Sequence, residues 1–154
     1  MKKYFLLLAI SSPAFAFDFT GCLEGSGVQR DSDGAPLARC TTRVEAKITA
    51  TDFTFNQITD CGEMSLPNIS LRNLIVEDGK IYKTFNVAKV IGTLEADYAE
   101  FSSQFSFAGD ETGRTRLTAL QNGNFDLVQV YTKTSGTGYP VVRSLEADLH
   151  VCTH

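Results

Sequence analysis

The chain has 154 residues, with 14 Lys and Arg against 18 Asp and Glu, a formal charge of −4, and no Trp. Its basic residues are scattered and the net charge is acidic, which repels phosphate backbones and excludes nucleic acid as a partner. No segment approaches the ~18 consecutive apolar residues of a membrane-spanning helix.

Met1 to Ala16 has the three parts of an export signal. Lys2 and Lys3 form a positive start, Tyr4–Ile10 an apolar stretch, and Ala14-Phe15-Ala16 a small-x-small cleavage site after Pro13. Cleavage leaves residues 17–154, a length that suits one domain with a proper core. Loss of the two lysines makes the charge two units more negative than −4. Phe19-Thr20-Gly21-Cys22 is a competing, lipobox-like site that would anchor the protein through a lipidated Cys22, but Asp18 and the better site at Ala16 argue against it. The expected location is secreted or periplasmic.

The mature chain is a series of alternating apolar and polar runs separated by turn residues, the pattern of an antiparallel meander. The first run puts Phe19, Gly21, Leu23, Gly25 and Gly27 on one face, with Cys22, Glu24 and Ser26 on the other. Asp31-Ser32-Asp33-Gly34 makes a turn. The second run places Cys40, Thr42, Val44, Ala46 and Ile48 inward, and the third carries Phe53 and Phe55. A loop over Thr49–Asp52 sets Ile48 opposite Phe53 and Ala46 opposite Phe55, and the same register sets Cys40 opposite Cys61. Directly opposed strand residues are close enough to bridge. Four cysteines in an exported chain form disulfides more readily than metal sites, so Cys40–Cys61 leaves Cys22–Cys152. These two lie in the first and last runs, which are neighbours in a closed barrel.

Downstream, a helix or turn is expected over Cys61–Pro67, where alternation fails. Asp78-Gly79 and Asn122-Gly123 mark hairpins. Further inward rows are Val90, Gly92, Leu94 and Ala96; then Ala99, Phe101, Phe105 and Phe107; then Val141, Leu145, Ala147, Leu149 and Val151, with Glu146, Asp148 and His150 outward. The expected fold is all-β: one antiparallel meander barrel of about eight to ten strands, stapled by two disulfides.

A signal, a glycine-rich first strand, a long meander and first-to-last closure together resemble the lipocalin or calycin-like barrels. Gly21-Cys22-Leu23 stands where members often carry Gly-x-Trp. The resemblance implies an interior cavity for a small apolar ligand.

The candidate ligand-binding residues are Arg143, Phe53, Phe55, Phe85, Phe101 and Phe105. Strict alternation puts Arg143 on the face of Val141 and Leu145, where its guanidinium can hold a polar head or snorkel to the rim. The phenylalanines either line a pocket or fill a core. His150-x-Cys152-x-His154 has zinc-like spacing, but a disulfide sulfur is a poor ligand. Asp31-Ser32-Asp33-Gly34 lacks the closing Glu of a calcium loop. Paired outward carboxylates such as Glu24, Glu146 and Asp148 suit a glycosidase, yet any acidic β-surface offers them. No catalytic residue, metal or cofactor is assigned. The expected function is non-enzymatic: interior binding of a small apolar or amphipathic ligand. The alternative is a secreted protein partner or inhibited hydrolase, met through loops Ser32–Pro36, Asp110–Gly113 and Ser135–Pro140. Mass spectrometry of the exported protein is expected to give Phe17 as its first residue; an acylated Cys22 would contradict the cleavage site.

Overall fold

The structure is a computed structural model that describes residues 17–63, 66–83, 89–105, 111–133 and 141–153. The expected signal, Phe85, Phe107 and the loop Ser135–Pro140 lie outside them. Ten strands follow one another: β1 (Phe19–Asp31), β2 (Pro36–Ile48), β3 (Asp52–Asp60), β4 (Ile69–Glu77), β5 (Lys80–Lys83), β6 (Lys89–Leu94), β7 (Tyr98–Phe105), β8 (Glu111–Ala119), β9 (Phe125–Lys133) and β10 (Val141–Val151). Each pairs antiparallel with its sequence neighbours, and β1 pairs with β10 to close the ring. No helix is long and apolar enough to cross a membrane among the described residues. The described part of Cys61–Pro67 holds a turn at Gly62-Glu63 and no helix.

The β2–β3 register is the one the alternation dictates, with Ile48 opposite Phe53 and Ala46 opposite Phe55. Cys40 and Cys61 are bonded at a Cα separation of 4.1 Å. Cys22 and Cys152 are bonded at 5.4 Å, pinning β1 to β10. That bond leaves Cys22 no sulfur for a lipid thioether.

The closing seam is tight because Gly25 and Gly27 face inward on β1. A Cβ on Gly25 would stand 1.9 Å from the Asp148 carbonyl oxygen, and one on Gly27 would stand 2.4 Å from that of Glu146. Asp78 and Gly79 both take positive φ, the primed turn that suits a two-residue hairpin between Glu77 and Lys80.

Alternation fails at bulges and strand ends. β6 carries one extra residue, so Ile81 faces Gly92 while Tyr82 faces Val90. Ile91 therefore packs against the core and Val90 turns out, 47% exposed, contrary to the expected inward row. Ala96 lies in the exposed bend after β6 ends. Val151 is 54% exposed because β10 runs past the start of β9, whose first pair is Phe125–Leu149. In β4, Asn73 adopts a φ of 54° and donates its N–H to Thr54 Oγ1, which lets both Leu71 and Leu74 pack inward three residues apart.

One end of the barrel is sealed by aromatics. The Phe19 and Phe125 rings meet at 5.0 Å, edge on. Phe17, the first residue after the expected cleavage, is 3% exposed and donates its N–H to the Glu95 carbonyl. On the outer wall, Arg116 Nε donates to Glu100 at 2.8 Å and Arg114 also pairs with that carboxylate. Partial burial works to raise the Glu100 pKa, but the two guanidiniums outweigh it and hold the carboxyl below its ordinary value.

Three outcomes are expected. Phe17→Ala should cost about 3 kcal/mol in urea unfolding, the usual loss for a buried Phe. Breaking Cys22–Cys152, whose partners are 130 positions apart in sequence, should cost more than breaking Cys40–Cys61, whose partners are 21 apart; loop entropy gives about 5 against about 3 kcal/mol. Because the folded-state pKa of Glu100 is depressed, its stabilisation is present above the unfolded carboxylate pKa and is lost as pH falls through the folded value. Glu100→Gln should flatten that acid limb of the stability profile below about pH 5.

Candidate functional site

The barrel interior has two chemically different halves. At the aromatic-sealed end, Phe53 and Phe55 each meet Phe101 edge on, with centroids 5.0 and 4.8 Å away. All three are at most 1% exposed, so water-sized space does not adjoin their rings. They pack with Ile48, Ile81 and Leu117 as a solid base. The side chain of Phe105, the last residue of β7, is not among those described.

Above this base the inward face turns polar. Gln57 on β3 and Gln129 on β9 reach from opposite walls and exchange two hydrogen bonds. Gln57 Nε2 donates to Gln129 Oε1 at 2.9 Å, and Gln129 Nε2 donates to Gln57 Oε1 at 2.7 Å. The same amides donate to Thr59 Oγ1 and Thr115 Oγ1 at 2.8 and 3.1 Å. The Thr42 and Thr59 hydroxyls lie 3.1 Å apart. Tyr131 donates its hydroxyl to Gln129 Oε1 at 3.1 Å. Burial, aided by Glu111 and opposed by Arg143, pushes the Tyr131 phenol far above its ordinary pKa, so it remains a donor at neutral pH.

The next layer carries charge. Strand pairing puts Ser103, Gly113, Tyr131 and Arg143 in one inward row across β7, β8, β9 and β10. Arg143 is brought in by a register shift at the start of β10, where Val141 faces Thr132 and Arg143 faces Tyr131. Its guanidinium lies 5.2 Å from the Tyr131 ring centre, and its Nη2 donates to Glu111 Oε2 at 2.7 Å. The Arg143 and Glu111 side chains are 26% and 11% exposed. A pair this deep adds little net stability, because desolvation offsets most of the attraction.

Among the described residues, three side-chain polar atoms are buried without a hydrogen-bond partner in the protein: Gln29 Oε1, Ser103 Oγ and Arg143 Nε. Each such atom costs about 1–3 kcal/mol. Gln29 is opposite Leu145, and Arg143 is the next inward residue on β10, opposite Asp31. An unused acceptor and an unused donor thus occupy diagonal positions on the closing seam.

Ser103 also lines a recess of about 590 Å³ shared with Ile69, Leu71, Val90, Ile91 and Thr112. Among the described residues, the strands beside it pair over short stretches: β5 with β4 from Ile75 to Glu77, and β6 with β7 from Gly92 to Leu94. Lys83 and Lys89 are directly opposed at its edge.

Of the expected site residues, Phe53, Phe55 and Phe101 sit together in the base, and Arg143 sits apart at the polar end. The other motifs scatter. His150 Nε2 is 3.9 Å from Glu24, Cys152 is disulfide-bonded, and no group of three potential metal ligands occurs among the described residues. Asp31 Oδ1 accepts the N–H groups of Asp33 and Ala35, making the Asp31–Gly34 segment a self-satisfied turn. Asp148 faces Asp126 on the outer wall, and Glu146 pairs with Arg30. Thr112 and Gly113, expected in a loop, belong to β8, with Gly113 buried. Comparison with known protein families, characterised proteins and solved structures finds no match for this chain. The fold and site define a closed ten-stranded antiparallel barrel, solid and apolar at one end, polar and incompletely satisfied at the other.

Because Gln57 and Gln129 depend on each other, Gln129→Leu should cost about 2–3 kcal/mol by orphaning its buried partners. The double change Gln57→Leu/Gln129→Leu should cost at least ~1 kcal/mol less than the sum of the singles in a double-mutant cycle.

Proposed function

We propose that this protein is an exported, non-enzymatic barrel that holds a small amphipathic ligand at its polar end, as the lipocalin-like pattern of the sequence suggests. The observation that carries this reading is a partly apolar recess whose lining includes Ser103, a buried hydroxyl with no hydrogen-bond partner in the protein. The recess volume, about 590 Å³, falls within the range of small-molecule sites.

The proposed ligand differs in place from one enclosed by phenylalanines. Phe53, Phe55 and Phe101 act as a floor, since their rings are already covered by one another. The apolar part of the ligand lies along Ile69, Leu71 and Ile91, and its polar part faces Ser103 and the inward row leading to Arg143. Two disulfides and a sealed base keep this frame preorganised, which lowers the entropic cost of binding.

The neutral fluorophore N-phenyl-1-naphthylamine should bind saturably, one per chain. Leu71→Ala should weaken it by about tenfold or more, equivalent to ~1.4 kcal/mol, measured at a temperature where circular dichroism shows the variant still folded. Absence of saturable binding would overturn the proposal.

A further inference from the structure

We infer that the ligand is an anionic amphiphile, its carboxylate or sulfate head held between Lys83 and Lys89 and its apolar chain running inward along the recess. This inference rests on the binding reading above and names the charge of its ligand.

Strand register brings the two lysines together. On β5, Lys83 comes two residues after the fully buried Ile81 and shares its inward parity. Lys89 on β6 is directly opposite Lys83, so the two occupy the same face. Both are exposed, which places them at the mouth of an inward row. Both also line the recess.

Like charges directly opposed on paired strands destabilise the pair. Elsewhere the cations are answered. Arg30, Arg43 and Lys47 each have a carboxylate at 3.5–3.8 Å, and Arg143 holds Glu111 at 2.7 Å. Among the described residues, neither Lys83 nor Lys89 forms an ion pair, and no Asp or Glu lines the recess. An oxyanion between them replaces one repulsion by two attractions. A cationic head would add to the repulsion, and an uncharged head would leave it unanswered.

The remaining lining suits the rest of such a molecule. Ile69 is 2% exposed, and Leu71 and Ile91 pack against the core, which gives an apolar chain a wall to cover. Ser103 Oγ lines the same recess without a partner in the protein, and its hydroxyl can donate to an oxyanion. The charge of the whole chain, formally −4, repels an anion at long range. A preference for an anion therefore reports the local lysines and not the general field.

The test uses four probes with matched chains: octanoate, octyl sulfate, octanamide and octylammonium. Each is titrated at pH 7.5 and low salt into the mature protein, by calorimetry and amide NMR. The tighter of the two anions should bind about fivefold or more tighter than octanamide, and octylammonium weakest. Raising the salt to about 0.5 M should shrink that preference to about twofold or less. Lys83→Gln/Lys89→Gln should abolish the preference and leave octanamide unchanged. Lys47→Gln/Lys80→Gln removes the same charge outside the recess and should keep it. If Lys83→Gln/Lys89→Gln does not fold, the wild-type ratio and its salt dependence decide the matter alone. Octanamide or octylammonium binding as tightly as both anions would overturn the inference and leave the binding reading standing. So would a preference that survives in Lys83→Gln/Lys89→Gln, or saturable naphthylamine binding without binding of either anion. Binding of none of the four probes, together with no binding of the naphthylamine, would overturn both.

Discussion

Closure of the sheet between its first and last strands is the constraint on which everything else in this molecule depends. The seam brings Leu23–Asp31 against Arg143–Val151 over nine paired positions. It requires glycine at positions 25 and 27, where the β10 backbone leaves no room for a Cβ. It is held by a disulfide whose partners are 130 residues apart. A closed ring has no edge strand to pair with other chains, and it gives every inward side chain a neighbour on the opposite wall. Only in that geometry can Gln57 and Gln129 meet.

The interior is then filled in two ways. Apolar and aromatic side chains make one half dry, and non-directional burial is its main stabilisation. Directional bonds hold the other half. There the Gln57–Gln129 bridge ties β3 to β9, and the threonines beside it satisfy the remaining amide protons. Such a network stabilises only when it is complete. It is complete at Gln57 and Gln129, whereas Gln29 Oε1, Ser103 Oγ and Arg143 Nε have no hydrogen-bond partner in the protein. The change from satisfied to unsatisfied marks the boundary between scaffold and candidate site.

Much of the fold was legible because β2 and β3 alternate without interruption. One loop length therefore fixed the Cys40–Cys61 bond, and the remaining pair implied the closing seam. Val90, Ala96 and Val151 were misplaced because bulges and strand ends break the parity on which that reasoning rests. The site was less legible. Gln29, Gln57 and Gln129 share the parity of Leu23, Phe55 and Leu127, so alternation alone puts them inside. Their polarity masked the signal, since a buried Gln becomes credible only once its partner is known. Glu111 and Arg143 are 32 residues apart, and their meeting depends on register through three strands and a bulge. Arg143 was recognised as inward, whereas its neutralising partner was not.

Amide hydrogen exchange at single-residue resolution tests the closing seam most directly. In a closed barrel, backbone amides of β1 and β10 that donate across the seam exchange as slowly as those between β2 and β3, because they open only with the whole structure. Rapid exchange along Leu23–Gln29 and Leu145–Leu149, with protection confined to the other strands, would show two free edges. It would contradict the closed interior from which the polar site is argued.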